Sequence, residues 1–86
     1  MRRLLEFTTE VIYLNRKEKV SRTGRKYTIV RFLDSQWKSF DCLADDDVVI
    51  PYNMKQFDRV EVTFRLETGR FMKLYITNFE RIAFDD

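Results

Sequence analysis

Arg59-Val60-Glu61-Val62-Thr63-Phe64-Arg65-Leu66-Glu67 alternates strictly between apolar and polar side chains after its first residue. Successive side chains of an extended chain point to opposite sides, so Val60, Val62, Phe64 and Leu66 share one face and Glu61, Thr63, Arg65 and Glu67 the other. This pattern predicts a half-buried antiparallel strand. Thr68-Gly69-Arg70 then turns the chain into Phe71 to Ile76. There Met72, Leu74 and Ile76 are expected to face inward and Phe71, Lys73 and Tyr75 outward, and Asn78 disturbs the alternation as a bulge would.

Working back towards the N-terminus, Leu4 to Leu14 is rich in β-branched and aromatic residues, which predicts a first strand. Ser21-Arg22-Thr23-Gly24-Arg25 is the next break, where Gly24 can supply the positive φ of a tight hairpin turn. From Lys26 to Leu33, Tyr27, Ile29 and Arg31 alternate with Thr28, Val30 and Phe32, a second strand with apolar groups on both faces. Asp34-Ser35-Gln36 is a turn cluster, and Trp37 to Leu43 reads as a short third strand with Phe40, Cys42 and Ala44 on one side. Asp45-Asp46-Asp47, Pro51 and Asn53 mark a long connection. Its Val48, Val49, Ile50 and Met54 are expected to fold back onto the core, with room for one helical turn.

Five strands without long helices predict an all-β chain: a five-stranded antiparallel Greek-key barrel of the oligonucleotide-binding (OB-fold-like) type, with a protruding basic hairpin. A three-stranded sheet with a helix is the nearest competitor. At 86 residues the chain supports one core, so residues 1–86 are read as a single domain.

Composition narrows the function. Eight Phe, four Tyr and one Trp are too many aromatics for a disordered chain. They either build a core or present flat faces to a ligand. Met1-Arg2-Arg3-Leu4-Leu5 starts as a signal peptide does, but Glu6, Thr8, Thr9 and Glu10 interrupt the apolar run, and no stretch reaches a transmembrane length. A single cysteine, Cys42, leaves no intramolecular disulfide and no cysteine-based zinc site, so a cytoplasmic location is expected. With no histidine, no nucleophile-base pair and no phosphate-cradling glycine loop, neither catalysis, a metal nor a cofactor is expected. The three consecutive aspartates have no recognisable ligand spacing and read as a solvated loop or a helix N-terminus.

Charge is unevenly spread. Residues 1–33 carry nine lysines and arginines against three glutamates, whereas residues 34–86 carry seven against eleven acids. Arg16, Lys17, Lys19, Arg22, Arg25, Lys26 and Arg31 face only Glu18 within their segment. Such a patch suits a polyanion, and Tyr27 beside the turn adds a face for an unpaired base. Arg22 serves a phosphate or stacks through its guanidinium. An acidic protein partner meets the same electrostatic need, and an ordinary solvated hairpin displays similar charges. Elsewhere Trp37 is expected to pack in the core, Cys42 to be a small core residue, and Tyr13, Phe32, Tyr52 and Tyr75 remain open between core and surface.

Val20-Ser21-Arg22-Thr23-Gly24-Arg25-Lys26-Tyr27 resembles the Val-Ser-Arg-x-Gly-Lys-x-Tyr hairpin of the gene V-type single-stranded DNA-binding proteins of filamentous phages. Gly69-Arg70-Phe71 followed by Leu74 and Ile76 is similar to that family's later hairpin. The resemblance implies a homodimeric barrel that binds single-stranded DNA without sequence specificity, in DNA replication or transfer of a phage or mobile element. It implies that Arg22 contacts phosphates or bases and that Tyr27 and Ile29 line the binding face. Lys17 would stand near a family arginine, and Phe71 would reach DNA. With Arg16 and Arg25 as further phosphate contacts, these residues are the expected interface. The chain has no evident equivalent of a family lysine after the second strand, and Asn78 stands near a basic family position. The alternatives are an RNA-binding barrel and a module docking an acidic partner; no membrane contact is expected.

Overall fold

The computed structural model describes residues 4–70 and 72–82. Five strands follow in chain order: β1 (Leu4–Val20), β2 (Lys26–Leu33), β3 (Ser39–Ala44), β4 (Arg59–Glu67) and β5 (Lys73–Arg81). They form one mixed sheet in which the order β1-β2-β3-β5-β4 closes on itself through the β4–β1 pair. No described residue is helical, and no helix is long and apolar enough to cross a membrane. The helical turn expected in the long connection is absent. Pro51 removes an amide donor there, and tight turns replace it, Val48 N donating to Asp45 O at 3.0 Å and Asp58 N to Lys55 O at 3.1 Å.

One pairing departs from the antiparallel expectation: β3 and β5 run parallel, with Leu43 opposite Tyr75 and Ala44 opposite Ile76. Geometry requires it. Strand direction must alternate around an all-antiparallel ring, and five is odd, so one junction has to be parallel. The long connection after Ala44 provides the crossover, carrying β4 to the far side of β1 and leaving β5 beside β3.

The core lies inside this ring. Val30, Phe32, Val60, Val62, Phe64 and Ile76 are fully buried, with Val11, Tyr13, Cys42 and Phe79 around them. Phe32 is the hub, its ring 5.8 Å from those of Phe40 and Phe64, 6.3 Å from Phe79 and 6.5 Å from Tyr13. The tilted and edge-on arrangements suit the ring quadrupoles. Val48, Ile50 and Met54 of the long connection pack onto this cluster as expected, while Val49 stays in solvent.

Two extra residues set which side chains face inward. Leu14 has no partner between the pairs Tyr13–Phe32 and Asn15–Arg31, and Thr77 is skipped between Thr63–Asn78 and Phe64–Ile76. The second irregularity adjoins Asn78, where the sequence alternation breaks. It lets Ile76 and Phe79, three residues apart, both enter the core.

Two expected burials do not occur. Trp37 is 71% exposed. It occupies the tip of the β2–β3 turn at φ 61°, where Asp34 Oδ1 accepts from the Gln36 and Lys38 amides and the backbone closes between Asp34 and Lys38, so the indole projects away from the ring. Met72 precedes β5 rather than lying in it and is exposed as well.

Burial pushes the Cys42 thiol up to about 12, with Asp41 adding to the effect. The unfolded chain holds an ordinary thiol near 9.0, so it releases this proton first as pH rises. The folded state therefore keeps its full stability below pH 9 and loses it progressively towards pH 12, at about 1.4 kcal/mol per pH unit from this group. Urea unfolding at pH 8 and pH 10.5 should show a larger alkaline loss in the wild type than in Cys42→Ala. Equal losses would mean that the thiol ionises freely in the fold.

Candidate nucleic-acid interface

The chain between Leu14 and Arg31 folds as a two-stranded ribbon. Sequence alternation ended the first strand at Leu14, but β1 continues to Val20 and pairs with β2 down to Val20–Lys26. Towards the turn from Ile29, β2 has no pairing with β3, so Lys26, Tyr27 and Thr28 pair with β1 alone and the hairpin extends past the edge of β3, with the long connection packed beside it. Gly24, at φ 82°, closes the turn as expected: its amide donates to Ser21 O at 3.0 Å and Ser21 N donates to Arg25 O at 2.9 Å. Ser21 Oγ also accepts from the Arg25 amide.

The extra residue at Leu14 sorts the cations. Val11 and Tyr13 face the core, so an uninterrupted strand would send Asn15, Lys17 and Lys19 inward too. With Leu14 bulged, Arg16 pairs with the buried Val30 instead, and Asn15, Lys17 and Lys19 turn outward. They border a hollow shared with Ile29, Arg31 and Asp41. Lys17 lies opposite Ile29 and Lys19 opposite Tyr27. These pairs put two ammonium groups beside an aliphatic and an aromatic side chain on one open face.

Arg16 belongs to the other side. Its Nη1 donates to Ile50 O at 2.9 Å, fastening the long connection against the ribbon rather than standing ready for a ligand. Two further cations are matched by acids. Arg25 meets Asp46 at 3.0 Å at the surface, and Arg31 forms a forked pair with Asp41 at 2.8 and 3.3 Å. The Arg31 hydrogen bond holds the Asp41 carboxyl below its usual range and raises Arg31 in turn. Lys17, Lys19, Arg22 and Lys26 make no ion pair or side-chain hydrogen bond among the described residues. Arg22 is exposed on the turn, while Lys26 borders the opposite cleft with Arg16 and Glu18.

Of the seven expected residues, Lys17, Tyr27 and Ile29 thus come together on one face. Arg22 and Arg25 flank the turn, Arg16 is turned away, and Phe71 lies outside the described residues. Met72 and Lys73 border a cleft with Ile29, Asp41 and Leu43, which brings the β4–β5 turn to the edge of the same face. Lys19, counted with the basic segment but not among the seven, joins this face, and so do Leu43 and Tyr75. Lys19 follows Lys17 at the strand period and becomes legible once β1 is extended through Val20.

One register row encircles the outside of the ring. Lys17 lies opposite Ile29, Ile29 opposite Leu43, Leu43 opposite Tyr75, and Tyr75 opposite Arg65. Cation, two aliphatics, tyrosine and cation therefore succeed one another across five strands. Comparison with models of known families finds no match, and comparison with curated proteins finds none either.

Gly24 has open space where a Cβ would stand, so only its left-handed backbone resists substitution. Gly24→Ala should destabilise the protein by about 1–2 kcal/mol, and Gly24→Asn by less, as read from urea midpoints. Equal effects of the two would show that the turn relaxes to another form.

Proposed function

We propose that this chain is a non-sequence-specific single-stranded DNA-binding protein of the OB-fold type, working as a homodimer in replication or transfer of a phage or mobile element. The observation that carries this reading is the placement of Lys17 and Lys19, without ion-pair partners among the described residues, directly across β1–β2 from Ile29 and Tyr27. Unpaired strands need cations for their phosphates and flat or apolar surfaces for their bases, and the two kinds of group alternate here within one strand spacing. The ring order and the crossover after β3 support the fold assignment. So does the position of the β1–β2 and β4–β5 turns beside the outer face of β2 and β3, where barrels of this type hold oligonucleotides. The resemblance of residues 20–27 to the gene V-type hairpin points the same way.

Electrostatics give the mechanism its scale. Arg22, Lys17, Lys19 and Arg25 offer about four phosphate contacts, the last after exchanging Asp46 for a phosphate. Each contact with a single strand contributes roughly −0.7 to the slope of log affinity against log salt, so titration of oligo-dT should give a slope of about −2 to −4. Binding that is absent or indifferent to salt removes the proposal. Arg22→Ala should flatten the slope, whereas Tyr27→Ala should lower affinity at unchanged slope, since a stacked ring releases no counterions. An acidic protein partner would respond to the arginine and not to the tyrosine, and competition with a matched RNA strand separates the two nucleic acids.

Self-association has separate support. Leu5 and Phe7 on the first half of β1 are 55% and 46% exposed. Phe7 rims an open apolar cleft with Val11, Phe40, Phe64 and Leu74. Burying that rim in a second copy would stabilise a ring with so small a core. Sedimentation should report twice the 10.5 kDa chain mass, and a monomer at all working concentrations excludes the dimer.

A further inference from the structure

The cleft on the far side of Tyr27 from the lysines is lined by Tyr27, Leu43, Ala44 and Tyr75, with Arg25, Asp45 and Asp46 at its rim. Its apolar floor is Leu43, which stands between Ile29 and Tyr75 on the outward row. Tyr75 is half-buried and fixed from one side. The Arg65 guanidinium lies over its ring at 5.0 Å from the centroid, and Arg65 is gripped by both carboxylate oxygens of Asp45 at 3.0 and 3.1 Å. One ring face is thus occupied by a cation that is itself neutralised, and the cleft adjoins the ring.

The rim charges decide what the cleft can hold. Asp45 is held by Arg65, and Arg25 reaches a phosphate only by leaving Asp46, so the Leu43–Tyr75 side of the cleft keeps its carboxylates and offers a phosphate no cation of its own. An uncharged, flat, partly apolar group fits; an anion does not. Lys17 lies at the other end of the row, three strand spacings or roughly 14 Å along the sheet surface from Tyr75. That span exceeds a single base.

Resting on the single-stranded DNA reading, we infer that Tyr75 and Leu43 form a second base-stacking subsite, which takes an unpaired nucleobase while the phosphates follow the Lys17–Lys19 side. The strand crosses the outer face with one base against Tyr27 and Ile29 and a later one against Leu43 and Tyr75. Arg65 occupies the rear of the Tyr75 ring, so the base stacks on the face turned to the cleft. Binding here is insensitive to salt, in contrast to the lysine side.

The test is titration of oligo-dT at several salt concentrations with Tyr75→Ala and Tyr75→Phe. Loss of one stacked base is worth about 1–3 kcal/mol, so Tyr75→Ala should bind roughly 5- to 150-fold more weakly. Its salt slope should equal that of the wild type, and Tyr75→Phe should bind within about twofold of the wild type because it keeps the ring. If Tyr75→Ala proves unfolded by circular dichroism, Tyr75→Leu replaces it, keeping apolar volume without a π-face. Wild-type binding with an alanine or leucine variant of undiminished affinity overturns the subsite and leaves the parent reading standing. A variant whose slope falls by about one contact also overturns it, because the tyrosine then serves the phosphate path. If the wild type itself fails to bind oligo-dT, both readings fall.

Discussion

Strand parity governs this protein. Side chains alternate between the inside and outside of a closed sheet, so one inserted residue exchanges the two sets for the rest of the strand. Leu14 is such a residue. Before it β1 contributes Val11 and Tyr13 to the core; after it the same parity, Asn15, Lys17 and Lys19, faces solvent. Without the bulge Asn15, Lys17 and Lys19 would take the side that Arg16 and Glu18 now occupy beside the long connection, and the open face would lose its lysines. Core packing and the cationic face therefore depend on the same backbone irregularity.

Closure imposes a second constraint. An odd number of strands needs one parallel junction, and the long connection that makes it possible also brings Asp46 to the ribbon and Asp45 to Arg65 of β4. The acidic run then acts electrostatically on the proposed site. Asp45 gathers Arg65 onto Tyr75, and Asp46 meets Arg25. Asp46 on Arg25 and Asp41 on Arg31 reduce the seven-cation segment to a smaller set without ion-pair partners among the described residues. The face becomes graded, with lysines at one end and an apolar, charge-matched cleft at the other. Such grading lets one surface treat phosphates and bases differently, as the proposed function requires.

Much of the fold was legible because the turn residues are few and the β4 alternation is unbroken. Gly24, the irregularity beside Asn78 and the burial of Cys42 with Phe40 packed beside it were visible as local chemistry. Trp37 was not, since its large apolar area argues for burial while the Asp34-capped turn that ejects it is set by backbone geometry. β1 runs beyond its apolar alternation for a related reason. Asn15 to Val20 is too polar to look like a strand, yet pairing with β2 holds it extended.

The sequence alone determined the all-β class, the strands of the core and the concentration of cations around Gly24, because these rest on local periodicity and composition. Only the tertiary structure decided which cations remain without ion-pair partners among the described residues, and that Leu43 and Tyr75 extend the face. Tyr75 becomes a neighbour of Leu43 only through the parallel β3–β5 junction, and Arg65 reaches its ring only across β4–β5. The Leu43–Tyr75 contact joins residues more than 30 positions apart, and the outward turn of Lys17 and Lys19 hangs on the one-residue shift at Leu14; neither leaves a trace in local alternation.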